Sequence, residues 1–249
     1  MEASVRSETM TAVRSRISSD ERRSVGWKFF DAASTSAFVA IWLAFFVHFS
    51  TASTTLETSL WIALFVLPAF FAADLAAGLL HWFADTFFAP STPWIGRSLI
   101  HAFREHHRDP RGIARRGIVE ASGLNCFACI GILGLGLGLD TGTLAGRASC
   151  VALLWFTLAV ALTNLFHRWA HSEVVSPGVR WLQRRGWILS PERHAVHHSG
   201  RHERAFCVTT GWLNPLLDRI EFFTRLEGAI RWIGRGFVRS KLAKGTRAH

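Results

Sequence analysis

The chain has 249 residues, of which 49% are hydrophobic and 18% are charged. This composition excludes an intrinsically disordered protein and is rich in apolar residues even for a soluble domain. The formal net charge of +10 suits nucleic acid, but it equally suits the inner flank of a membrane protein. Four cysteines without regular spacing exclude a disulfide scaffold.

Four apolar stretches predict transmembrane helices, because each is near the ~20 residues that cross a hydrocarbon core. They cover residues 30–50, 59–80, 121–139 and 149–166. The third stretch is rich in glycine between residues 131 and 138, which we interpret as close helix packing. The polar start of the chain has no signal-peptide pattern. Buried helices of a large soluble enzyme are the alternative.

The placement of Arg and Lys favours the membrane interpretation. The short links between paired stretches contain only one of the 28 cations, Arg147, and the others lie in the N-terminal tail, in the central link and after residue 167. This asymmetry follows the positive-inside rule. It predicts an all-α integral membrane protein with four transmembrane helices in two hairpins, a helical His-rich cap in the cytoplasm, and both termini on that side. The positive charge then reflects topology and attraction to anionic lipids, not nucleic acid.

The chain is thereby divided into a basic tail at residues 1–27, a membrane domain at 28–237 and a second basic tail at 238–249. Within the cytoplasmic part, a stripe of apolar residues recurs at helical spacing. Its members are Leu217, Ile220, Phe223, Leu226, Ile230 and Ile233. This stripe predicts a helix that either lies at the membrane surface or packs against the rest of the cytoplasmic part.

Eight of the twelve histidines form groups on the predicted cytoplasmic segments. They are His81, His106, His107, His167, His171, His194, His197 and His198. Spacings of three and four residues place imidazoles on one helix face, so HRWAH and HAVHH can each supply two ligands. Eight imidazoles are too many for one ion, so the sequence predicts two metal ions. A pair of irons suits this count best, since HAVHH lacks the Glu of the zinc-protease motif.

Four further side chains are candidates for supporting roles. Asp85 follows His81 by four residues, which predicts a metal ligand or an acceptor for an imidazole N–H. Asp74 is a functional candidate because a charge at membrane depth is costly, or else a hydrogen-bonding group between helices. Asn164 either reaches the metal or packs helices together. His202 is either a possible ligand or a surface residue.

Five motifs resemble those of the lipid desaturase family, which includes plasmanylethanolamine desaturase and the bacterial CarF proteins. They are HWFADT from His81, FREHHRDP from Phe103, HRWAH from His167, HAVHH from His194 and FCVTTGWLN from Phe206. The resemblance covers about residues 74–237 and implies that the eight grouped histidines are the metal ligands. His101 has no counterpart in these motifs, and His48 and His249 are interpreted as incidental.

The resemblance implies a membrane desaturase with a non-haem di-iron centre and molecular oxygen as co-substrate. Its product would be the 1′-2′ vinyl ether double bond of plasmalogens, formed from alkyl ether phospholipids. It further implies an external electron donor such as cytochrome b5 or a ferredoxin with its reductase. The head-group phosphate is expected near Arg104 or Arg193, and the membrane is expected to be a bacterial inner membrane, or the endoplasmic reticulum in a eukaryote.

Two alternatives remain open at this point. One is another di-iron lipid desaturase or hydroxylase, which would use the same ligands on an acyl phospholipid, a sterol or a carotenoid. The other is a non-enzymatic membrane adaptor that binds haem or zinc through the same histidines.

Overall fold

A computed structural model describes residues 24–51, 55–96 and 100–245. Most of the first basic tail and His249 lie outside these residues. Within the described part the regular elements are helices and there is no strand, which agrees with the predicted all-α class. The helices are α1 (Val25–Thr51), α2 (Thr55–Phe87), α3 (His101–Arg108), α4 (Gly112–Arg115), α5 (Ile118–Gly136), α6 (Leu144–Ala170), α7 (Pro177–Arg184), α8 (Pro191–His197), α9 (Asn214–Arg219) and α10 (Phe222–Gly245).

Four helices, α1, α2, α5 and α6, are long and apolar enough to cross a membrane. They correspond to the four predicted stretches, but α5 ends at Gly136, and both α2 and α6 continue beyond the apolar sequence. The 33 residues of α2 span about 50 Å at a rise of 1.5 Å, which exceeds a hydrocarbon core of about 30 Å. This excess length carries His81 and Asp85 toward the end of α2, while α6 carries His167 to its last turn.

The long helices pack around α6. Helix α5 packs against α6 as a hairpin, α1 packs mainly on α5, and α2 packs mainly on α6. Helices α1 and α2 follow each other in the chain but share few contacts, so only the second predicted hairpin has an extensive internal interface. Buried Phe45, Phe49, Leu133, Val151 and Leu154 belong to the core between α1, α5 and α6.

Close packing explains only part of the glycine-rich stretch. A Cβ on Gly136 would lie 2.9 Å from Leu153 Cδ1 and 3.0 Å from Phe45 Cζ, so this glycine allows three helices to approach. Gly131 and Gly134 face open space, with no atom within 4 Å of an added Cβ. For these two positions the packing interpretation is therefore wrong.

The remaining helices gather where α2 and α6 end, and we call this region the His-rich end. The apolar stripe divides here into two parts. Leu217 and Phe223 are buried with Trp82 and Phe206, whereas Ile233 is 62% exposed. The stripe therefore packs against the protein at Leu217, Phe223 and Leu226, whereas Ile220, Ile230 and Ile233 are exposed. Helix α10 continues to Gly245, through most of the segment assigned to the second tail.

Candidate metal centre

Four helices deliver the eight predicted imidazoles to one region at the His-rich end. His81 comes from the penultimate turn of α2, and the last turn of α3 contains the pair His106 and His107. Helix α6 supplies His167 and, at its C-cap, His171, and α8 with its C-cap supplies the other three. The start of α8 is fixed locally, because Ser190 Oγ caps the Arg193 N–H and a proline occupies the first turn.

The first histidine group contains five imidazoles whose nitrogens lie within 4.8 Å of one another. Its members are His106, His167, His171, His194 and His198. The Nε2 atom of His106 lies 3.0 Å from that of His167, 3.1 Å from that of His171 and 3.0 Å from that of His198. The Nε2 atom of His194 lies 2.8 Å from that of His167 and 2.9 Å from that of His198.

Hydrogen bonding alone cannot satisfy this arrangement, because a neutral imidazole has a single N–H and His106 Nε2 meets three partners. Nitrogens bound to one metal at about 2.1 Å in octahedral geometry would be about 3.0 Å apart along each edge. The observed separations match this spacing. The first group could therefore hold one metal ion through as many as five imidazoles.

The second histidine group contains His81, His107, His197 and the carboxylate of Asp85. Asp85 Oδ2 lies 3.0 Å from His107 Nε2, 3.4 Å from His81 Nε2 and 3.8 Å from His197 Nε2. The Nε2 atoms of His81 and His197 and the Oδ1 atom of Asp85 are buried without a hydrogen-bond partner. Unsatisfied buried groups are costly, and a cation among them would remove this cost. The donor set suits a metal such as iron.

His202 lies beside both groups. Its ring centroid is 4.4 Å from that of His107, and its ligand atom lies within 4.8 Å of those of His107 and His198. Its φ of 57° is in the left-handed region that few non-glycine residues adopt. The structure thus brings His202 to the site and leaves His101 and His48 exposed and away from it.

Asn164 takes part in an amide pair between two helices. Its Nδ2 donates to Asn125 Oδ1 at 3.2 Å, and Asn125 Nδ2 donates to the Val160 carbonyl at 2.8 Å. This contact joins α5 to α6. Of the two roles that the sequence left open, helix packing is the one these bonds serve.

Asp74 is fully buried and anchors a loop instead of another helix. Its Oδ1 accepts hydrogen bonds from the backbone N–H groups of Thr209, Thr210 and Gly211, at 3.1, 2.8 and 3.0 Å. Its Oδ2 accepts from Leu213 N at 3.3 Å. The carboxylate therefore fixes the segment at residues 204–213, which we call the 204–213 loop. The prediction of a hydrogen-bonding group between helices is wrong, because the partners belong to this loop.

The two arginines expected near a lipid phosphate both bind backbone carbonyls. Arg193 Nη1 donates to the carbonyls of Gly186 and Thr210, at 3.0 and 3.1 Å. Arg104 Nη2 donates to the Phe88 carbonyl at 2.9 Å. Arg193 therefore ties α8 to the 204–213 loop, a role that its position in the sequence does not indicate.

Burial favours the neutral form of four of these imidazoles. Loss of solvation, reinforced by neighbouring imidazoles, lowers the pKa of His106 from 6.5 to about 2 and that of His198 to about 3. Burial likewise lowers the pKa of His171 and of His197 to about 4. The neutral imidazole is the form that binds a metal, so these side chains are ready to do so without losing a proton at neutral pH.

The lipid desaturase domain matches residues 70–240 of the chain. The chain belongs to the lipid desaturase family. Over 168 residues, the chain is 36% identical to plasmanylethanolamine desaturase of Myxococcus xanthus, and the match covers 67% of this chain and 59% of that protein. Over 166 residues it is 37% identical to plasmanylethanolamine desaturase 1 of Mus musculus, covering 64% and 61%.

A third family relative is a chloroplastic protein of Arabidopsis thaliana, fatty acid desaturase 4. It is 32% identical over 160 residues, which cover 62% of this chain and 47% of that protein. The chain thus spans about three fifths of the length of the two plasmanylethanolamine desaturases that it matches, and less of the plant protein. No solved structure matches.

Proposed function

We propose that the chain is an O2-dependent lipid desaturase in which each histidine group binds one iron ion. Its substrate is an alkyl ether phospholipid and its product carries the 1′-2′ vinyl ether double bond of a plasmalogen. One observation carries the proposal: eight imidazoles from four helices form two adjacent groups, one of them with a carboxylate. The names of the relatives from M. xanthus and M. musculus support the choice of substrate.

Two irons bound by these residues would supply the oxygen activation that side chains cannot provide. The overall reaction removes two hydrogens from adjacent carbons of the alkyl chain, consumes one O2, two electrons and two protons, and releases two water molecules. The two hydrogens removed from the lipid supply only two of the four electrons that reduce O2 to two water molecules, so an external donor must supply the other two. Cytochrome b5 or a ferredoxin with its reductase would serve, and cations on the inner face would favour docking of an acidic carrier.

The protein's own residues hold the reacting groups and exclude water. The rings of Phe103 and Phe206 pack against His81, with centroids 5.2 and 5.8 Å away. On the same part of α2, Leu80 and Phe83 are 48% and 42% exposed. These two side chains give α2 an apolar surface next to His81 in sequence, on which an alkyl chain in the bilayer would rest while its polar head group stays at the membrane boundary.

The geometry disfavours a haem or zinc adaptor. A haem iron receives four ligands from its porphyrin, which leaves two positions for protein side chains. Five imidazole nitrogens within 4.8 Å of one another exceed that number. They also exceed the four ligands of a structural zinc site. An iron ion with six coordination positions accommodates five imidazole nitrogens.

Lipid analysis of a host that contains alkyl ether phospholipid, with and without the chain, tests the proposed reaction. The expected product is lighter than its substrate by two hydrogens and releases an aldehyde in acid. A product heavier by one oxygen atom would identify a hydroxylase, and a new double bond in acyl phospholipids alone would identify a different desaturase. Either result contradicts the proposed substrate and reaction. His101→Ala provides a matched control for loss-of-ligand variants, since its imidazole is exposed.

A further inference from the structure

The 204–213 loop orients two imidazoles of the second group through backbone carbonyls. The carbonyl of Arg204 lies 2.9 Å from His197 Nδ1, and the carbonyl of Phe206 lies 3.3 Å from His81 Nδ1. A carbonyl only accepts, so each Nδ1 must be the protonated nitrogen. These bonds therefore leave the lone pair of each Nε2 facing Asp85, the arrangement that a metal ligand requires.

Two side chains of α9 hold these carbonyls in place. Asp218 Oδ1 accepts a hydrogen bond from Ala205 N at 3.1 Å. Asn214 binds both polar groups of Cys207, accepting from its N–H and donating to its carbonyl, each at 2.9 Å. The Arg204–Ala205 and Phe206–Cys207 peptides, which carry the two carbonyls, are thus fixed by α9. We call this pair of side chains the α9 clamp.

The clamp acts on strained backbone. Ala205 has a φ of 57°, in the left-handed region that a residue with a Cβ disfavours. Such a conformation persists only where surrounding contacts hold it. The Ala205 N–H belongs to the same peptide as the Arg204 carbonyl, so its release would let that carbonyl move, while loss of the Asn214 bonds would release the Phe206 carbonyl.

Among the described residues, no backbone carbonyl orients an imidazole of the first group in this way. The Nδ1 atoms of His106 and His194 are buried without a hydrogen-bond partner. Their orientation follows from the helices that carry them. A substitution in α9 should therefore weaken metal binding at the second group more than at the first.

We propose that Asn214 and Asp218 are positioning residues for the second histidine group and act on it through the Arg204 and Phe206 carbonyls. This inference rests on the proposed role of the two groups as iron sites. The hydrogen bonds of Asn214 and Asp218 go to the backbone of Cys207 and Ala205 and not to a side chain of the second group. Loss of the clamp is expected to weaken iron binding at the second group on the order of 10- to 100-fold, as loss of outer partners does in other metal sites. Binding at the first group should not change.

Iron titration of the full-length protein tests this inference. Metal-free wild type, Asn214→Ala and Asp218→Ala are purified in detergent and titrated anaerobically with Fe²⁺, and bound iron is measured by mass spectrometry after desalting. Asp218→Asn keeps an acceptor oxygen for Ala205 N and is the conservative variant. Thr209→Val is the matched control, because it removes a 2.8 Å hydroxyl bond to Thr163 from the same loop without touching the clamp.

Two binding steps are expected in the wild type, Asp218→Asn and Thr209→Val. In the two alanine variants the second step should require Fe²⁺ concentrations higher on the order of 10- to 100-fold, with the first step unchanged. The inference is overturned if both steps keep wild-type affinity, if both are lost together, or if Thr209→Val behaves like the alanine variants. A wild type that binds two irons but makes no vinyl ether would refute the proposed reaction and leave this inference standing.

Discussion

The two histidine groups differ in what holds their ligands. The five imidazoles of the first group come from three helix ends, and His106 and His194 have no partner at Nδ1. In the second group two of the three imidazoles are oriented by loop carbonyls, and a carboxylate replaces further imidazoles. Helix geometry alone thus suffices for one group, while the other depends on a loop without regular structure. Substitutions in the loop and substitutions in the helix ends should therefore affect metal binding at different groups.

The adjacent pair His106 and His107 gives the sharpest separation, because each residue belongs to a different group. His106→Ala and His107→Ala should both lower vinyl ether formation by at least about 100-fold, since the reaction needs both irons. Iron analysis should show that each variant loses a different ion, with His101→Ala like wild type. Loss of the same ion from both variants would disprove the division into two groups.

Asp85→Asn tests the charge difference between the groups. The substitution keeps the size of the side chain but removes the negative charge that lies 3.0 Å from His107 Nε2. Iron affinity of the second group should fall on the order of 10- to 100-fold, and product formation should fall with it. Iron at the first group should remain. Unchanged binding at both groups in an Fe²⁺ titration would show that Asp85 is not part of the site.

Acid should destabilise the metal-free protein. Burial lowers the pKa of His171 and His197 from 6.5 to about 4, so the unfolded chain binds more protons than the folded one between these values. Stability is therefore complete above pH 6.5 and falls as the pH drops toward 4. Thermal unfolding of chelator-treated protein across this range should show a falling midpoint, and a flat profile would contradict the burial of neutral imidazoles.

Gly78→Ala tests how tightly the 204–213 loop lies against α2. An added Cβ would come 2.6 Å from Cys207 Sγ and 3.3 Å from Cys207 N, too close without movement of the loop. The expected cost is about 1–3 kcal/mol of unfolding free energy. Gly134→Ala is the matched control, because nothing lies within 4 Å of its added Cβ and alanine favours a helix. Equal stability of both variants in a thermal unfolding experiment would show that the loop packs loosely.

The sequence predicts the parts of this molecule that follow from periodicity. Long apolar runs give the four long helices, and the spacing in HRWAH and HAVHH gives imidazoles on shared helix faces. The assignment of His106 and His107 to different groups follows from the angle of about 100° between successive helical residues, but which partners they meet depends on tertiary packing.

The 204–213 loop has no periodicity from which its path could be predicted. Its shape depends on buried polar partners distant in sequence, above all Asp74, which lies 135 residues before Thr209. A carboxylate inside an apolar helix indicated that a strong partner must exist, but not which one. The same holds for Asn164, whose partner Asn125 lies on another helix. For such buried polar side chains the sequence indicates that a hydrogen-bond partner is required, and only the fold identifies that partner.

Anomalous X-ray scattering at the iron edge from crystals of the iron-loaded protein tests the central claim most directly. Two iron peaks are expected, one among the five imidazole nitrogens of the first group and one beside Asp85 in the second. A single peak, or a peak away from both groups, would contradict the assignment of one iron ion to each group.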